Sequence, residues 1–553
     1  MGIAKAALII MAGNIVSRLL GIVREQIIAA LFGASAATDA FTAASRVPTT
    51  VYDFLVGGML SAALIPVLAD YVHHRDEAEL WRTVSLVLNL ILLALAFLLA
   101  LLAWLAEPLM GFLAFGFSPQ VRSLSVGLVQ LMLPSVLFMG VAGVFTSLLY
   151  ARRSFLLPAF SAAAYNAGIV IMALLFHNAL GIHSLVLGVM VGAFFQVAIQ
   201  WPGVRGMRYT FSLSLSHPGV RRIMGLYLPV ALGLLVSAAG IAIDSNLASR
   251  TGEGGMAAMR FATTLVQFPL GLVATAMGYA LLPTLSYHAG PVVGRSGVPE
   301  PTLAFSQDEV DVGRARQKEA SEAYRATLAL GMKLVLLTTV PAAAGLVMLR
   351  VPIIRLLFQH GVFNPQDTQR TALAFLGYAP GMVAAAVDQI LVFAFYARKN
   401  TVTPVIVGVV GVAAYVVVGL ALVQPLGVLG LTIANSVQWT LHALVLLFLM
   451  GRVMGGFRGT GLSGTFVRSL GAGGAMMVAL AAMEFFLTGW VSSQGGAAQV
   501  AYLALAVLLG AGAYVGAMAA VGQKELKVLR QALRTRGTVP VTEAPGTSDV
   551  NLR

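Results

Sequence analysis

The stretch of residues 17–71 reads SRLLGIVREQIIAALFGASAATDAFTAASRVPTTVYDFLVGGMLSAALIPVLADY. It is apolar and long enough for two membrane helices, each of which needs about 20 residues to span a bilayer. Charged side chains nevertheless lie inside the apolar sequence, namely Arg18, Arg24, Glu25, Asp39, Arg46 and Asp53. A charge near the centre of a bilayer is energetically costly, so such a side chain is expected to face a bundle interior or a wet cavity.

Three of these charges share one helical stripe. Asp39, Arg46 and Asp53 are spaced seven residues apart, which is almost two full helical turns. Thr42 and Thr49 lie beside the same stripe. The spacing therefore predicts one polar, charged face on the second helix.

The first helix has a similar pair, because Ser17 and Arg24 are also seven residues apart. We interpret the two helices as the lining of a charged, water-filled cavity. In the alternative interpretation, the charges lie near helix ends and their side chains reach the membrane interface. That alternative suits Arg24 or Asp39 taken alone, but Arg18 and Arg46 have apolar sequence on both sides.

Composition indicates an all-α polytopic membrane protein. Of the 553 residues, 58% are hydrophobic and 10% are charged, whereas soluble domains have about 45–50% and about 25%. Cysteine is absent, which excludes disulfides and Cys-ligated metal sites. The formal net charge of +13 is spread over short connections and a tail, so we expect no nucleic-acid partner.

Apolar segments long enough to span a bilayer predict about fourteen transmembrane helices, and we expect the first of them, rather than a cleaved signal, at the N-terminus. These segments lie near 5–32, 37–70, 83–106, 121–150, 156–178, 182–203, 223–249, 256–287, 324–349, 366–397, 402–423, 427–450, 463–489 and 497–521. Basic residues concentrate in alternate connections, and the opposite set contains only Arg122, Arg250, Arg350, Arg355 and Arg370. The positive-inside rule then predicts that both termini are cytoplasmic.

An internal repeat divides the chain. LLYARRSFLLP at 148–158 resembles AFYARKNTVTP at 394–404 with an offset of 246 residues, and the same offset relates Leu180-Gly181 to Leu426-Gly427. We predict two six-helix lobes related by an axis along the membrane normal, around a central cationic cavity. The predicted segments are an N-lobe at 1–216, a C-lobe at 217–455 with a cytoplasmic loop at 288–320, two additional helices at 456–523, and a tail at 524–553 that is basic and then polar.

The predicted cavity has more basic than acidic residues, because Arg260 on the eighth helix adds to the arginines of the first two. Arginine suits phosphate, since its planar fork donates two parallel hydrogen bonds. The residues therefore predict an anionic, phosphate-bearing substrate. Asp39 is expected to hold an arginine in place when no substrate is bound. In the alternative, all these charges pair internally and only stabilise helix packing.

Two further carboxylates lie within apolar helices, Asp244 in IAIDSNLASR and Asp388 in VAAAVDQILVF. They are candidates for a coupling cation, Na⁺ or H⁺, or are polar core residues with satisfied hydrogen bonds. The sequence has no GxxxxGK[ST] phosphate loop, no HExxH and no GxSxG motif. We therefore expect neither an enzyme, nor a cofactor, nor a bound metal. The sequence does not determine the driving force, and coupling to Na⁺, to H⁺ or to the membrane potential stays open.

Several segments resemble the MurJ (MviN) family, the lipid II flippases of the MOP superfamily. They are SRLLGIVREQIIAALFGASAATDAFTAASRVP, LIPVLADY, FPLGLVATAMGYALLPTLS at 268–286, LFQHGVFNPQDTQRTALAF at 357–375 and FYARKNTVTP at 395–404. The resemblance implies fourteen helices, a cationic cavity and export of undecaprenyl-pyrophosphate-linked peptidoglycan precursor through the bacterial cytoplasmic membrane. It also implies lipid II, membrane lipids and cell-wall synthesis proteins as partners. The family's functional residues match at Ser17, Arg18, Arg24 and Asp39.

The chain departs from the family at two positions. Members often have a basic residue where this chain has Tyr52, and usually an arginine where it has Thr264. Arg260 lies one turn earlier than Thr264. Two alternatives therefore remain open, an exporter of another polyprenyl-pyrophosphate-linked saccharide and a non-transporting scaffold for cell-wall enzymes. A drug antiporter of the superfamily fits less well, because such proteins typically have twelve helices and an acidic cavity.

Overall fold

A computed structural model describes residues 3–58, 63–74, 76–271, 275–289, 307–491, 496–523 and 525. These residues form helices and connecting turns and contain no strand, which confirms the predicted all-α class. The first ten helices are α1 (Ile3–Phe32), α2 (Ala36–Tyr52), α3 (Ile65–His74), α4 (Glu77–Trp104), α5 (Ala106–Leu113), α6 (Pro119–Met132), α7 (Ser135–Ala151), α8 (Leu156–Ala159), α9 (Ser161–Leu180) and α10 (His183–Gln200).

Ten more helices follow, and three shorter helical segments lie between helices. The later helices are α11 (Pro218–Ala248), α12 (Gly255–Pro269), α13 (Thr275–His288), α14 (Gln307–Met348), α15 (Arg350–Phe358), α16 (Pro365–Ala397), α17 (Val402–Leu426), α18 (Val428–Met454), α19 (Leu462–Val491) and α20 (Gly496–Val521). A π-helix covers Asp53–Gly57, and 3₁₀ segments cover Trp201–Val204 and Ser249–Thr251.

Nine helices of the described chain are long and apolar enough to cross a membrane, or up to eleven spans if each of two bent pairs counts as one. The bent pairs are α6 with α7, at 41°, and the two halves of α11, at 52°. Three other predicted spans coincide with α1, with α2 to α3 and with α12 to α13. The multi-pass character is confirmed, and the number fourteen stays a prediction.

The chain divides into two compact units. The first contains residues 1–264, 353–377 and 412–434, and the second contains 265–352, 378–411 and 435–553. These units follow packing, whereas the predicted lobes follow the repeat, so the lobe boundaries at 216 and 455 stay predictions.

The connection between α1 and α2 is determined by three adjacent residues. Gly33 has a φ of +64° and its N–H donates to the Ala29 carbonyl at 2.8 Å, which ends α1. The Ser35 hydroxyl then accepts from the Thr38 N–H at 3.4 Å and caps α2. This tight connection places Arg24 and Asp39 on consecutive helices of the first unit.

A close approach of backbones places α1 against the end of α8. A Cβ on Gly13 would lie 2.3 Å from the Ala159 carbonyl oxygen, so only glycine fits at this contact. Farther along α1, Gly21 lies beside the side-chain amide of Asn166 on α9. The glycines of α1 therefore allow a polar side chain of α9 to reach the charged part of α1.

The predicted repeat is visible in the backbone. Arg153 and Lys399, which are 246 residues apart, both have a φ of 57°, and these two are the described non-glycine residues with positive φ. The N–H of the residue after each one donates to the carbonyl five residues earlier, at 2.8 Å for Ser154 and 3.0 Å for Asn400. Both helices thus end in the same left-handed turn.

A second pair of turns obeys the same offset. Gly181 and Gly427 both have a φ of +54°, and each N–H donates at 2.9 Å to the carbonyl four residues earlier. Two unrelated chain positions would rarely share such a conformation at one offset. The equality supports the duplication at the level of local structure.

Two predicted segments are only partly described. Helix α14 begins at Gln307, so the C-terminal part of the predicted loop 288–320 is helical, while residues 290–306 lie outside the described residues. Of the predicted tail, the structure describes Glu525, which accepts from the Thr465 hydroxyl at 3.3 Å and pairs with Arg468 on α19. The rest of the tail, including the predicted surface helix, also lies outside the described residues.

We predict that Gly181→Ala and Gly427→Ala each lower the free energy of unfolding by about 1–2 kcal/mol. A Cβ would meet no atom within 4 Å at Gly181 and only the Thr251 carbonyl oxygen, at 3.8 Å, at Gly427, so the cost comes from positive φ and should be similar at both. Gly474→Ala in α19 is the control, because this helical glycine also faces open space and alanine favours a helix there. Unfolding of the purified protein in detergent measures all three, and unchanged stability of both turn variants would contradict the shared conformation.

Candidate functional site

Two arginines from different helices share one buried glutamate in the first unit. Arg24 Nη2 lies 2.6 Å from Glu25 Oε1, and Arg260 binds both oxygens of Glu25, through Nε and Nη2, at 2.8 Å each. The Glu25 side chain is 3% exposed, while those of Arg24 and Arg260 are 24% and 19% exposed. We call Arg24, Glu25 and Arg260 the arginine clamp. It has two positive charges and one negative charge.

The clamp is positioned by neighbouring polar groups. Arg24 Nη1 donates to Asn166 Oδ1 at 2.9 Å, and Asn166 Nδ2 donates to the Ser17 backbone carbonyl at 3.1 Å. Arg260 lies over the ring of Phe41, 5.4 Å from its centroid. Ser17 therefore reaches the clamp through its backbone carbonyl and Asn166, and its predicted role in substrate binding is not tested by this contact.

The clamp has capacity for a further anion. Each guanidinium has five N–H donors, and three of them are engaged by described partners in Arg24 and three in Arg260. The remaining donors lie on side chains that are partly exposed. A multiply charged oxyanion such as a phosphate suits these donors, because two of its oxygens can accept from one planar guanidinium.

Arg18 does not share this environment. It lies six residues before Arg24 on α1, a rotation of about 240° at 100° per residue, so the two point from different faces. Its side chain is exposed and has no ion pair within the described part of the chain. The structure therefore does not bring Arg18 to the clamp, and its role in binding stays a prediction.

Asp39 has a different partner from the one expected. Its Oδ2 accepts from the Gly254 N–H at 2.6 Å and its Oδ1 accepts from the Ala257 N–H at 2.7 Å, both at the start of α12. The expectation that Asp39 holds an arginine is wrong in this structure, because free N–H groups at a helix N-terminus attract a carboxylate. The residue that holds the arginines is Glu25. Asp39 instead anchors the helix that carries Arg260.

Arg46 and Asp244 form a second ion pair in the same unit. Arg46 Nη1 lies 2.6 Å from Asp244 Oδ2, and the Tyr415 hydroxyl donates to Asp244 Oδ1 at 2.5 Å. Both oxygens of the carboxylate are thus engaged. Asp53, the third member of the predicted stripe, is exposed at the start of the π-helix. The three charges of the predicted stripe therefore have different environments. Asp39 caps α12, Arg46 forms an ion pair, and Asp53 is exposed.

Asp388 belongs to the second unit, where it contacts His442 on α18 at 2.5 Å. The sequence interpretation left out this histidine, along with Asn166 and Tyr415, and gave Glu25 no role. Glu25 satisfied the criterion that selected Arg24, a charge inside an apolar helix. The uncharged partners carried no such signal, because a single polar residue in a membrane helix is common.

One departure from the family pattern, Thr264, lies on the helix that carries Arg260. The Thr264 hydroxyl donates to the Arg260 carbonyl at 3.1 Å, one turn back on its own helix. Arg260 supplies the guanidinium on α12, while Tyr52 ends α2 and is half-buried. The clamp is therefore complete without a cation at position 264.

Comparisons with known proteins agree with this fold. A family model described as "Lipid II flippase MurJ" matches residues 28–497. The lipid II flippase MurJ of Burkholderia cenocepacia is 27% identical over 551 residues, which cover 96% of this chain and all of the relative.

Solved structures show the same architecture. A lipid II flippase MurJ in an inward closed conformation superposes with a TM-score of 0.72 at 20% identity, covering 95% of this chain and 100% of the other. A multidrug resistance MATE family transporter of the MOP superfamily, in an inward-facing conformation, superposes with a TM-score of 0.61 at 13% identity. This second match covers 81% of this chain and 95% of the other, and both likenesses concern the fold.

We predict that Asp39→Asn lowers the free energy of unfolding by about 1–2 kcal/mol, because an amide replaces a carboxylate that accepts two backbone N–H groups. Asp53→Asn is the matched control on the same stripe and should change stability by less than about 0.5 kcal/mol, since that side chain is exposed. Thermal unfolding in detergent measures both. Equal stability of the two variants would contradict the anchoring role of Asp39.

We predict that Glu25→Gln lowers the unfolding midpoint, because two guanidinium groups lose their shared counter-ion. Inorganic pyrophosphate should then raise the midpoint of the variant more than that of the unaltered protein, since the anion supplies the missing charge. Glu107→Gln, the same change at an exposed position, should behave as the unaltered protein does. If pyrophosphate stabilises Glu25→Gln no more than Glu107→Gln, the clamp is not an anion site.

Proposed function

The chain belongs to the lipid II flippase MurJ family, and from this membership we propose that it moves lipid II across the bacterial cytoplasmic membrane for cell-wall synthesis. The substrate joins an apolar polyprenyl chain to a saccharide headgroup through a pyrophosphate. Each phosphate of that linkage carries a negative charge, which cannot cross an apolar bilayer unaided. The transporter must therefore supply positive charge inside the membrane.

The observation that carries the proposal is the arginine clamp. Arg24 and Arg260 come from different helices, converge on one carboxylate and retain free donors. The two guanidinium charges match the two charges of a pyrophosphate diester once Glu25 no longer neutralises them. Because a planar fork binds phosphate through two parallel hydrogen bonds, the clamp recognises the linkage common to all such lipids.

Glu25 then acts as an internal substitute for the substrate. In the absence of an anion, it neutralises one of the two positive charges and is a shared partner for both arginines. The arriving pyrophosphate competes with Glu25 for the same donors. As the clamp opens first to the cytoplasm and then to the opposite side, the headgroup crosses by alternating access.

Arg18 and Arg46 have separate parts in the proposal. The exposed guanidinium of Arg18 attracts the anionic headgroup before it enters the clamp. Arg46 is held by Asp244, so it stabilises the contact between α2 and α11 in this conformation. Both termini lie in the cytoplasm, where the basic connections favour that orientation.

We predict that Arg24→Ala and Arg260→Ala each slow flipping by about tenfold or more, because a hydrogen bond to a charged group contributes about 1.5–3 kcal/mol. Arg24→Lys should give an intermediate rate, since it retains the charge and loses the planar fork. The control is Arg222→Ala, which removes an arginine whose pair with Asp70 is exposed.

The measurement uses the full-length protein in liposomes that contain fluorescent lipid II. A membrane-impermeant reductant bleaches the label in the outer leaflet, so the remaining signal decays at the rate of flipping. Unfolding midpoints show that each variant is folded. Flipping at the unaltered rate by both alanine variants would reject the clamp as the pyrophosphate site, and absence of flipping by the unaltered protein would reject the proposed function.

A further inference from the structure

The second unit contains a buried acidic side chain whose partner is a histidine. Asp388 on α16 and His442 on α18 have side chains that are 4% and 11% exposed. Asp388 Oδ1 lies 2.5 Å from His442 Nδ1, and His442 Nε2 lies 3.1 Å from the Pro404 carbonyl oxygen at the start of α17. The neighbouring residues of α16 and α18 belong to an apolar cluster that includes Ile390, Leu391 and Leu446.

The partners of the histidine determine where the protons are. A carbonyl oxygen only accepts, so His442 Nε2 must carry a hydrogen and donate it to Pro404. A neutral imidazole has one N–H, which leaves Nδ1 bare and requires the proton of this contact to come from Asp388. In the other arrangement, the ring is doubly protonated and Asp388 is a carboxylate. In both arrangements one proton lies between Nδ1 and Oδ1, and the pair is neutral.

We propose that Asp388 and His442 form a proton-binding site that couples lipid transport to proton movement. When the shared proton leaves for water, the N–H or O–H bond that held it breaks, and a carboxylate remains beside the lone pair of Nδ1. That arrangement is a net negative charge with no donor, which is costly in an apolar surrounding. Release of the proton therefore requires that α16 and α18 separate and admit water, and rebinding draws them together. This inference rests on the proposed function and assigns its driving ion.

Charged groups on the surrounding helices have other contacts. Among the described titratable groups, the electrostatic partner of Asp388 is His442, and that of His442 is Asp388. The part of α17 that belongs to this unit, 402–411, has no charged residue. Five basic or titratable side chains on or beside the neighbouring helices have other neighbours. They are His288 on α13 beside Tyr287, Arg325 and Lys333 on α14 beside Gly459 and Gly461, Arg398 after α16 over Tyr324, and Arg452 on α18 over Phe448.

The contacts favour a proton over Na⁺. A sodium ion, like other hard cations, needs several oxygen ligands, whereas the Asp388 oxygen faces a ring nitrogen at hydrogen-bond distance. The other candidate, Asp244, already has a guanidinium on one oxygen and a hydroxyl on the second. Of the two candidates, Asp388 is the one whose oxygen can share a single proton with a ring nitrogen, that of His442.

The experiment measures the steady-state distribution of fluorescent lipid II between leaflets in proteoliposomes, with valinomycin and potassium holding the membrane potential at zero. If one proton moves per lipid, the distribution should shift by up to about tenfold for each unit of pH difference across the membrane. A sodium gradient without a pH difference should not shift it. The shift should be lost in Asp388→Asn and in His442→Gln and retained in His183→Gln, the same change at an exposed histidine.

The outcomes separate the two proposals. Failure of the unaltered protein to move lipid II at zero gradient contradicts the proposed function. Movement with a distribution that ignores the pH difference contradicts the proton site alone. A folded Asp388→Asn variant whose distribution still follows the pH difference also overturns it, because another group must then carry the proton.

A spectroscopic measurement tests the pair if either variant fails to fold. The unaltered protein is prepared with ¹⁵N-labelled histidine, and the signal of His442 is found by its loss in His442→Gln. The geometry requires that Nε2 is protonated at neutral pH and that the proton on the Nδ1 side is shared with Asp388. A neutral ring with hydrogen on Nδ1 and a bare Nε2 would overturn the proposal.

Discussion

A buried charge inside an apolar helix must have a partner, and this constraint accounts for how α1 and α12 meet in the first unit. Glu25 is almost fully buried and binds Arg24 of its own helix and Arg260 of α12. Removal of one partner of such a group would leave an uncompensated buried charge, which is far costlier than an exposed one. The helices that carry the three residues are therefore held together through one buried carboxylate.

The partners of Asp39 and Arg46 follow from the same constraint. Asp39 accepts hydrogen bonds from free N–H groups at the start of α12 and so positions that helix. Arg260, on the same helix, binds Glu25. Arg46 finds Asp244 and thereby connects α2 with α11. Structural and functional charges are thus interdependent, since the anchor at Asp39 determines where the guanidinium of Arg260 lies.

The chain contains two kinds of neutral pair, which differ in whether they can release a proton. In the pair of Arg46 and Asp244, the arginine stays charged, because a guanidinium does not lose its proton in a protein. The pair of Asp388 and His442 is neutral because of a proton that can leave. An ion-coupled transporter needs the second kind, and a stable scaffold between helices needs the first.

The sequence by itself determined the class of the protein, its duplication and the residue types of its site. Apolar segments, the offset of 246 residues and arginines inside helices are local properties, and the structure repeats the offset at Gly181 and Gly427. The choice of partners was decided only by the tertiary structure. Spacing along α2 placed Asp39 and Arg46 on one face, but it could not show that one would meet a helix N-terminus and the other a carboxylate. The hydrogen bonds of Glu25, Asp39 and Arg46 to other helices join residues more than a hundred positions apart, and their geometry depends on packing that no single segment encodes.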